Sequence, residues 1–237
     1  MNHALRQALA NKRLQDVDVA TALCVDPKTV QRWCHGRRPR QRHRWALADL
    51  LEVAENALWP EAGGDRADGV VTVYPHRGAV PRDVWLGLFV SARESIDVLV
   101  YSGLFLVEDG GLLRVLAERA ESGVRVRMAF GDPESSDVEA RGAEEGIGAA
   151  LGAKVRSAFV LARPLLEMPG VEARVHDTVL YNSLYRGDDD VLVNAHIYGL
   201  GASRAPVLHV RRAGPDSMAS TYLASFERIW ASSTPTT

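Results

Sequence analysis

The chain has 237 residues with 28 Lys and Arg against 30 Asp and Glu, which gives a formal net charge of −2. Hydrophobic residues make up 46% and charged residues 24%, as in soluble globular proteins with one large or two small domains. No apolar run is long enough to span a membrane, and the N-terminus lacks the apolar core of a signal peptide. Two cysteines, Cys24 and Cys34, exclude a disulfide framework and a four-cysteine zinc site. We therefore predict a cytoplasmic protein without a metal or other cofactor.

Charge is divided unevenly along the chain. Residues 1–60 hold ten basic and six acidic side chains, a net charge of +4, so the remainder carries −6. No acidic residue lies between Pro27 and Trp45, a segment that contains seven basic ones. Such a basic stripe is typical of a surface that binds nucleic acid phosphates, and an ordinary solvated face is the alternative.

The predicted elements begin with a helical domain. A first helix covers residues 1–14, and the pattern of residues 14–36 then predicts two short helices joined by a tight turn. Asp26 and Pro27 open the second of these, because aspartate is a favoured N-cap and proline fits the first helical position. A further helix over residues 42–54 completes a small helical bundle.

The second helix of the pair carries a polar stripe. Val30 and Trp33 should face the first helix of the pair. Lys28, Gln31 and Arg32 lie on the opposite side, because they are three and four residues apart. Lys and Arg donate to the acceptors of guanine in the DNA major groove, and Gln pairs with adenine. We therefore predict a helix-turn-helix whose second helix contacts double-stranded DNA.

This pattern resembles the Cro/CI-like helix-turn-helix of the XRE family of transcriptional regulators. The residues that match the small, apolar, hydroxyl, aromatic and glycine positions of its motif are Ala20, Leu23, Val25, Thr29, Val30, Trp33 and Gly36. Cys24 replaces the usual turn glycine and must adopt an unusual backbone conformation. Asp16 replaces the usual glutamine, which puts a phosphate contact there in doubt. An ordinary helical hairpin is the alternative.

The expected DNA contacts fall into two groups. The residues expected to contact bases are Lys28, Arg32 and Gln31. The residues expected to contact phosphates are Thr29, Arg37, Arg38, Arg40 and Arg42.

A composition break follows the helical domain. Residues 61–69 are rich in Gly and Asp without apolar periodicity, and we assign residues 61–78 as a linker. A short β-like run at residues 70–74 is compatible with either side. From residue 79 onward, helices and strands alternate. The predicted strands cover residues 95–101, 124–130, 171–176, 179–186, 191–198 and 205–211. The predicted helices cover residues 81–92, 111–122, 137–168 (interrupted near 146–152 and at Pro164) and 217–231.

Three segments of residues 79–237 resemble one lobe of the phospholipase D superfamily. They are SIDVLVYSG at 95–103, GVRVRMAFGDP at 123–133 and the strand and hairpin at 171–199. The superfamily signature H-x-K-x4-D is absent from the hairpin, where Tyr181 stands at the nucleophilic histidine, Ser183 at the lysine and Asp188 at the aspartate. Tyrosine and serine supply neither a comparable nucleophile nor a charge for the phosphate, so we predict no catalytic residue.

Polar side chains at alternate positions of this hairpin form a second candidate site. Buried polar groups are costly unless they pair with one another or with a ligand. One interpretation is a structural hydrogen-bond network or subunit contact, and the other is a pocket for a small effector. The candidate ligand residues are Tyr101, Ser102, Tyr181, Ser183, Asn194 and His196.

These features together predict an α + α/β protein. Residues 1–60 form the helix-turn-helix domain, and residues 79–237 form a single phospholipase D-like lobe with a mixed sheet. The resembled superfamily pairs two lobes face to face and this chain has room for one, so we predict a homodimer that suits palindromic DNA.

The predicted function is a sequence-specific transcriptional regulator whose second domain dimerises and binds a small effector, with a phosphorylated molecule as one candidate. The alternatives are a DNA-tethered phosphodiesterase or nuclease and a protein-docking module without a ligand.

Overall fold

The computed structural model describes residues 2–37, 39–53, 55–59 and 69–236. They form two compact units, which divide between residues 67 and 68. Residues 61–68 of the predicted linker lie outside the described residues, as does Arg38. None of the helices in the described ranges is both long and apolar enough to cross a membrane.

The N-terminal unit is a bundle of short helices. They are α1 (His3–Asn11), α2 (Asp16–Ala22), α3 (Pro27–Cys34), α4 (Gln41–Leu51) and α5 (Glu55–Leu58). Apolar residues at helical spacing bring Leu5, Val30, Trp33 and Leu47 into one buried core. Leu58 and Trp59 close this core from the C-terminal side.

The C-terminal unit is a mixed α/β structure. Its strands are β1 (Val70–Tyr74), β2 (Ser95–Leu99), β3 (Arg125–Gly131), β4 (Val171–His176), β5 (Asn182–Gly187), β6 (Asp190–Ala195), β7 (Val207–Arg211) and β8 (Thr234–Pro235). Its helices are α6 (Arg82–Val90), α7 (Leu104–Glu108), α8 (Gly110–Glu121), α9 (Ser136–Glu144), α10 (Ala150–Leu166) and α11 (Met218–Ser232). Short 3₁₀ turns lie at Arg77–Ala79 and Ala202–Arg204.

The strands form one mixed sheet in the order β1-β7-β6-β5-β2-β3-β4-β8. The β2–β3 and β3–β4 pairs are parallel, as the predicted β–α–β unit requires, and β5 and β6 form the predicted antiparallel hairpin. Strand β1 pairs with β7, so residues 70–74 belong to the sheet although they fall within the predicted linker. The predicted break at Pro164 is wrong, because α10 continues through the proline and ends at Leu166.

A buried ion cluster joins three neighbouring strands. The carboxylate of Asp97 on β2 accepts hydrogen bonds from Arg127 Nε on β3 and Arg186 Nη1 on β5, both at 2.7 Å. Arg127 also donates to both carboxylate oxygens of Glu227 on α11, at 2.9 and 2.6 Å. Burial lowers the pKa of Arg127, but these two carboxylates outweigh it and raise the pKa above its usual value. The cluster therefore fastens β5 to the parallel part of the sheet.

Candidate functional site

Helices α2 and α3 follow one another across a short turn, as the pattern of residues 14–36 predicts. Helix α3 begins after Asp26, whose carboxylate accepts the backbone N–H of Lys28 at 2.8 Å. The turn contains Cys24 with φ +52°, the left-handed conformation for which the resembled motif uses glycine. Gly36 has φ +104° just beyond the end of α3. Local chemistry thus fixes both ends of α3.

Helix α3 presents its polar residues to solvent. Val30 and Trp33 are buried against the rest of the unit, whereas Lys28, Gln31 and Arg32 are exposed. Thr29 is half-buried beside them. The three predicted base-contacting side chains therefore share the free face of the helix.

Exposed arginines continue from this face. Arg32, Arg37, Arg40 and Arg42, which we name the α3 rim, line a cavity of about 300 Å³ together with Thr29. Within the described ranges, no carboxylate lies within 4.0 Å of any of the four. The neighbouring His43 has a lowered pKa because of burial and the charges of Arg42 and Arg40. The α3 rim is thus a concave patch of uncompensated positive charge.

A second cavity, of about 250 Å³, lies in the C-terminal unit; we name it the inner cavity. Tyr101 and Ser102 reach it from the end of β2, and Ser183 from β5. His196 reaches it from just beyond β6. These are four of the six predicted ligand residues. The sequence did not single out its basic lining residues, which are Arg77, Lys154 and Arg204.

Ser183 and His196 form a hydrogen-bonded pair in this cavity. The Ser183 hydroxyl lies 3.0 Å from His196 Nε2, and His196 Nδ1 lies 3.0 Å from the carbonyl oxygen of Leu180. A carbonyl only accepts, so Nδ1 carries the proton and Nε2 accepts from Ser183. Burial lowers the pKa of His196 to about 4, and the His196 ring stacks on Tyr101 with centroids 5.5 Å apart.

Tyr185 lies in the wall of the inner cavity and is fully buried. Its ring packs edge-on against Trp85 and Phe105, with centroids 4.9 and 5.6 Å away. Its hydroxyl makes no well-aligned hydrogen bond in the described part of the chain. Burial raises the pKa of this phenol, although Ser183 and Arg77 lie close enough to lower it in part. The phenol is therefore neutral and can donate to an acceptor in the cavity.

The other two predicted ligand residues lie outside the inner cavity. Asn194 is fully buried, and its amide donates to the backbone carbonyls of Ala205 and Pro206, both at 3.2 Å. Tyr181 precedes β5 and is 83% exposed. It contributes to a surface group, the tyrosine patch, which comprises Val179, Tyr181, Ile197 and Tyr198.

Asp188, at the place of the resembled signature's aspartate, has a structural role. It adopts φ +52° in the β5–β6 turn, and its carboxylate accepts the backbone N–H groups of Arg93, Glu94 and Ser95 at 2.7 to 2.9 Å. Burial opposes ionisation, but these three donors lower the pKa of Asp188. Among the residues that the structure describes, no group of three or more His, Cys, Asp or Glu side chains is arranged to hold a metal ion.

Comparison with known proteins gives one family match. Residues 66–237 match the model of a domain of unknown function, DUF5919. No curated protein matches the chain.

Several solved structures resemble the chain only distantly. They include a phospholipase D family member, Nuc from Salmonella typhimurium, with 14% identity, a TM-score of 0.42, and coverage of 69% of this chain and 94% of that chain. NucT from Helicobacter pylori has 12% identity, a TM-score of 0.43, and coverage of 70% and 98%. The archaeal chromatin protein TrmBL2, described as showing a novel mode of DNA binding, has 13% identity, a TM-score of 0.43, and coverage of 83% and 63%. These sequence identities and TM-scores are low, so a function for this chain depends on its own residues.

Proposed function

This chain belongs to the DUF5919 family, and we propose that it is a sequence-specific, DNA-binding transcriptional regulator. Its N-terminal unit is an XRE-type helix-turn-helix, and its C-terminal unit is a phospholipase D-like lobe that dimerises and binds a small effector. A cytoplasmic location belongs to the same proposal. A tethered phosphodiesterase and a docking module without a ligand are the alternatives.

The α3 rim is the observation that carries the DNA-binding role. Four exposed arginines beside a solvent-facing Lys28 and Gln31 repel one another, and no described carboxylate compensates them. DNA phosphates supply that counter-charge, and neutralising them releases condensed counterions, which favours binding. The eight-residue α3 lies free along one face, which suits insertion into the major groove.

Replacing Arg32 with alanine tests base recognition. We expect Arg32→Ala to weaken binding to a duplex selected from a random library by about 1–3 kcal/mol and to relax one base position. Arg37→Ala should instead weaken selected and random duplexes alike and reduce the salt slope by about one, since it contacts a phosphate. Fluorescence anisotropy at several salt concentrations measures both effects.

Lys12→Ala is the matched control, because it removes a cation at the end of α1 that pairs with Glu52. It should leave both affinities nearly unchanged. Equal losses for Arg32→Ala on selected and random DNA would contradict base contact by this residue.

The tyrosine patch supplies a surface for a second copy of the chain. Tyr181 is 83% and Tyr198 84% exposed, and both line a shallow cavity with Val179. Arg141 holds the loop that carries Tyr198 by donating to the carbonyls of Ile197 at 3.4 Å and Leu200 at 2.9 Å. Aromatic side chains on an ordered surface are typical of protein interfaces.

A charge placed in this patch should therefore separate the copies. We expect Tyr181→Asp to convert a dimer to a monomer in light scattering after gel filtration and to weaken binding to a two-half-site duplex. Val160→Asp, at an equally exposed apolar position on α10 (73%), is the control and should remain dimeric. A dimer that survives Tyr181→Asp but not Val160→Asp would place the interface on α10 instead.

We expect no hydrolysis in the inner cavity. Ser183 donates to His196, but a base with a pKa of about 4 accepts a proton poorly at neutral pH. Asp188 is occupied by three backbone donors. Phosphodiester hydrolysis by the purified chain that disappears in Ser183→Ala would favour the enzyme alternative.

A further inference from the structure

The inner cavity holds three basic side chains and little to balance them. Arg77, Lys154 and Arg204 reach it from two 3₁₀ turns and α10. Within the residues that the structure describes, none of the three lies within 4.0 Å of a carboxylate. Glu145 also lines the cavity, but it is held by Arg141 at 2.8 Å. The cavity therefore has a net positive charge that a bound anion would compensate.

One of these cations is held in a fixed orientation. The guanidinium carbon of Arg77 lies 4.0 Å from the centre of the Phe105 ring. Stacking of this kind uses the face of the guanidinium and leaves the N–H groups at its edge for an acceptor. The same Phe105 ring packs against Tyr185. The aromatic cluster thus places Arg77 and the Tyr185 hydroxyl side by side at one cavity.

The Tyr185 hydroxyl is a second observation at this cavity that favours a polar ligand. A buried hydroxyl without a partner is destabilising, and native proteins rarely keep one. Tyr185 is fully buried and lines the cavity, and its hydroxyl makes no well-aligned hydrogen bond among the described residues, with Ser183 and Arg77 as its polar neighbours. Burial raises the pKa of the phenol, so it donates a proton and calls for an acceptor oxygen.

We propose that the inner cavity binds a small oxyanion, a phosphate ester or a carboxylate, whose oxygens accept from Arg77, Lys154 and Tyr185. Arg204 adds charge at the same site. The volume of about 250 Å³ limits the ligand to the size of a phosphorylated pentose or a small polycarboxylate. This inference rests on the proposed function only where it implies that the anion changes the affinity for DNA. Binding of the anion itself can be measured without DNA.

Calorimetric titration of the full chain without DNA tests the ligand class. The probes are inorganic phosphate, ribose 5-phosphate and citrate, with ribose as the uncharged control. We expect at least one anion to bind and ribose not to bind, and the better anion distinguishes a phosphate ester from a carboxylate. Lys154→Gln and Arg77→Gln should each weaken binding about tenfold or more, since each removes a charge-assisted hydrogen bond. Arg163→Gln, at an exposed cation of the same helix as Lys154, should bind as the unaltered chain does.

Tyr185→Phe separates ligand recognition from structure. This variant removes the hydroxyl and keeps the packed ring, so we expect an affinity for the anion that is several-fold lower. A purely structural tyrosine would change the melting temperature and leave the affinity unchanged.

Two outcomes would overturn the inference. One is that none of the three anions binds at millimolar concentration. The other is that the Lys154 and Arg77 variants bind as tightly as the unaltered chain. The affinity for a selected duplex, measured with and without the anion, is a separate readout. Anion binding that leaves this affinity unchanged supports the cavity assignment and contradicts the effector role. DNA binding without anion binding overturns the cavity assignment alone.

Discussion

Asp97→Ala should lower the free energy of unfolding of the C-terminal unit by about 3–5 kcal/mol. Asp97 is fully buried, and its carboxylate is the shared acceptor of Arg127 and Arg186. Truncation leaves the Arg186 guanidinium with the backbone carbonyl of Asp188, and Arg127 with Glu227 alone. Removing one partner of a buried ion cluster is costly, because each arginine loses a charged acceptor in a place where burial keeps water from replacing it.

The measurement is urea unfolding of the full chain, in which the two units are fitted as separate transitions. Asp189→Ala is the matched control, because Asp189 pairs with Arg212 on the surface, and it should cost no more than about 0.5–1 kcal/mol. Equal losses of unfolding free energy for Asp97→Ala and Asp189→Ala would contradict a stabilising role of the buried cluster. The ion cluster fastens β5 to β2. Asp97→Ala should therefore also weaken the binding of any ligand that contacts Ser183 and Tyr185 on β5.

The parts of the fold that the sequence predicts depend on short-range chemistry. An aspartate cap and a proline define the start of α3, and the resembled motif requires a left-handed turn residue, which Cys24 provides with φ +52°. The Gly187–Asp190 turn likewise predicts the β5–β6 hairpin. These signals lie within a few residues of one another, so no knowledge of tertiary packing is needed to interpret them.

The inner cavity could not be predicted in the same way. Its cations come from three separated segments that only the folded sheet brings together, and no local pattern marks them. One compositional signal was available, because Lys154 is the only lysine after residue 28 in a chain otherwise supplied with arginine. The alternation of polar side chains along the hairpin also predicts pocket positions for Asn194 and Tyr181, and both lie elsewhere. Strand β6 is central and buries Asn194 against backbone carbonyls, whereas β5 begins only after Tyr181.

Acidification should destabilise the C-terminal unit through His196. Burial lowers the pKa of His196 from 6.5 to about 4, the hydrogen bond to the Leu180 carbonyl opposes this shift, and the charges of Arg141 and Arg77 add to it. Between these two pH values the unfolded chain binds the proton and the native chain does not, so stability falls as the pH falls. The expected loss from this residue is about 3 kcal/mol between pH 6.5 and pH 4, with no further loss below that range.

His196→Gln should flatten the pH profile of the unfolding free energy by about that amount, measured by urea unfolding across the range. His76→Gln, at an exposed histidine, is the control for the substitution itself. Burial also lowers the pKa of His176. The unfolding free energy of the His196 variant should therefore still depend on pH to a smaller extent. Profiles that run parallel with and without His196 would contradict its buried, neutral state.

The same state means that His196 stays uncharged between pH 6 and 8. Across that range, His196 should therefore contribute no pH dependence to anion affinity, and the attraction must come from Arg77, Lys154 and Arg204.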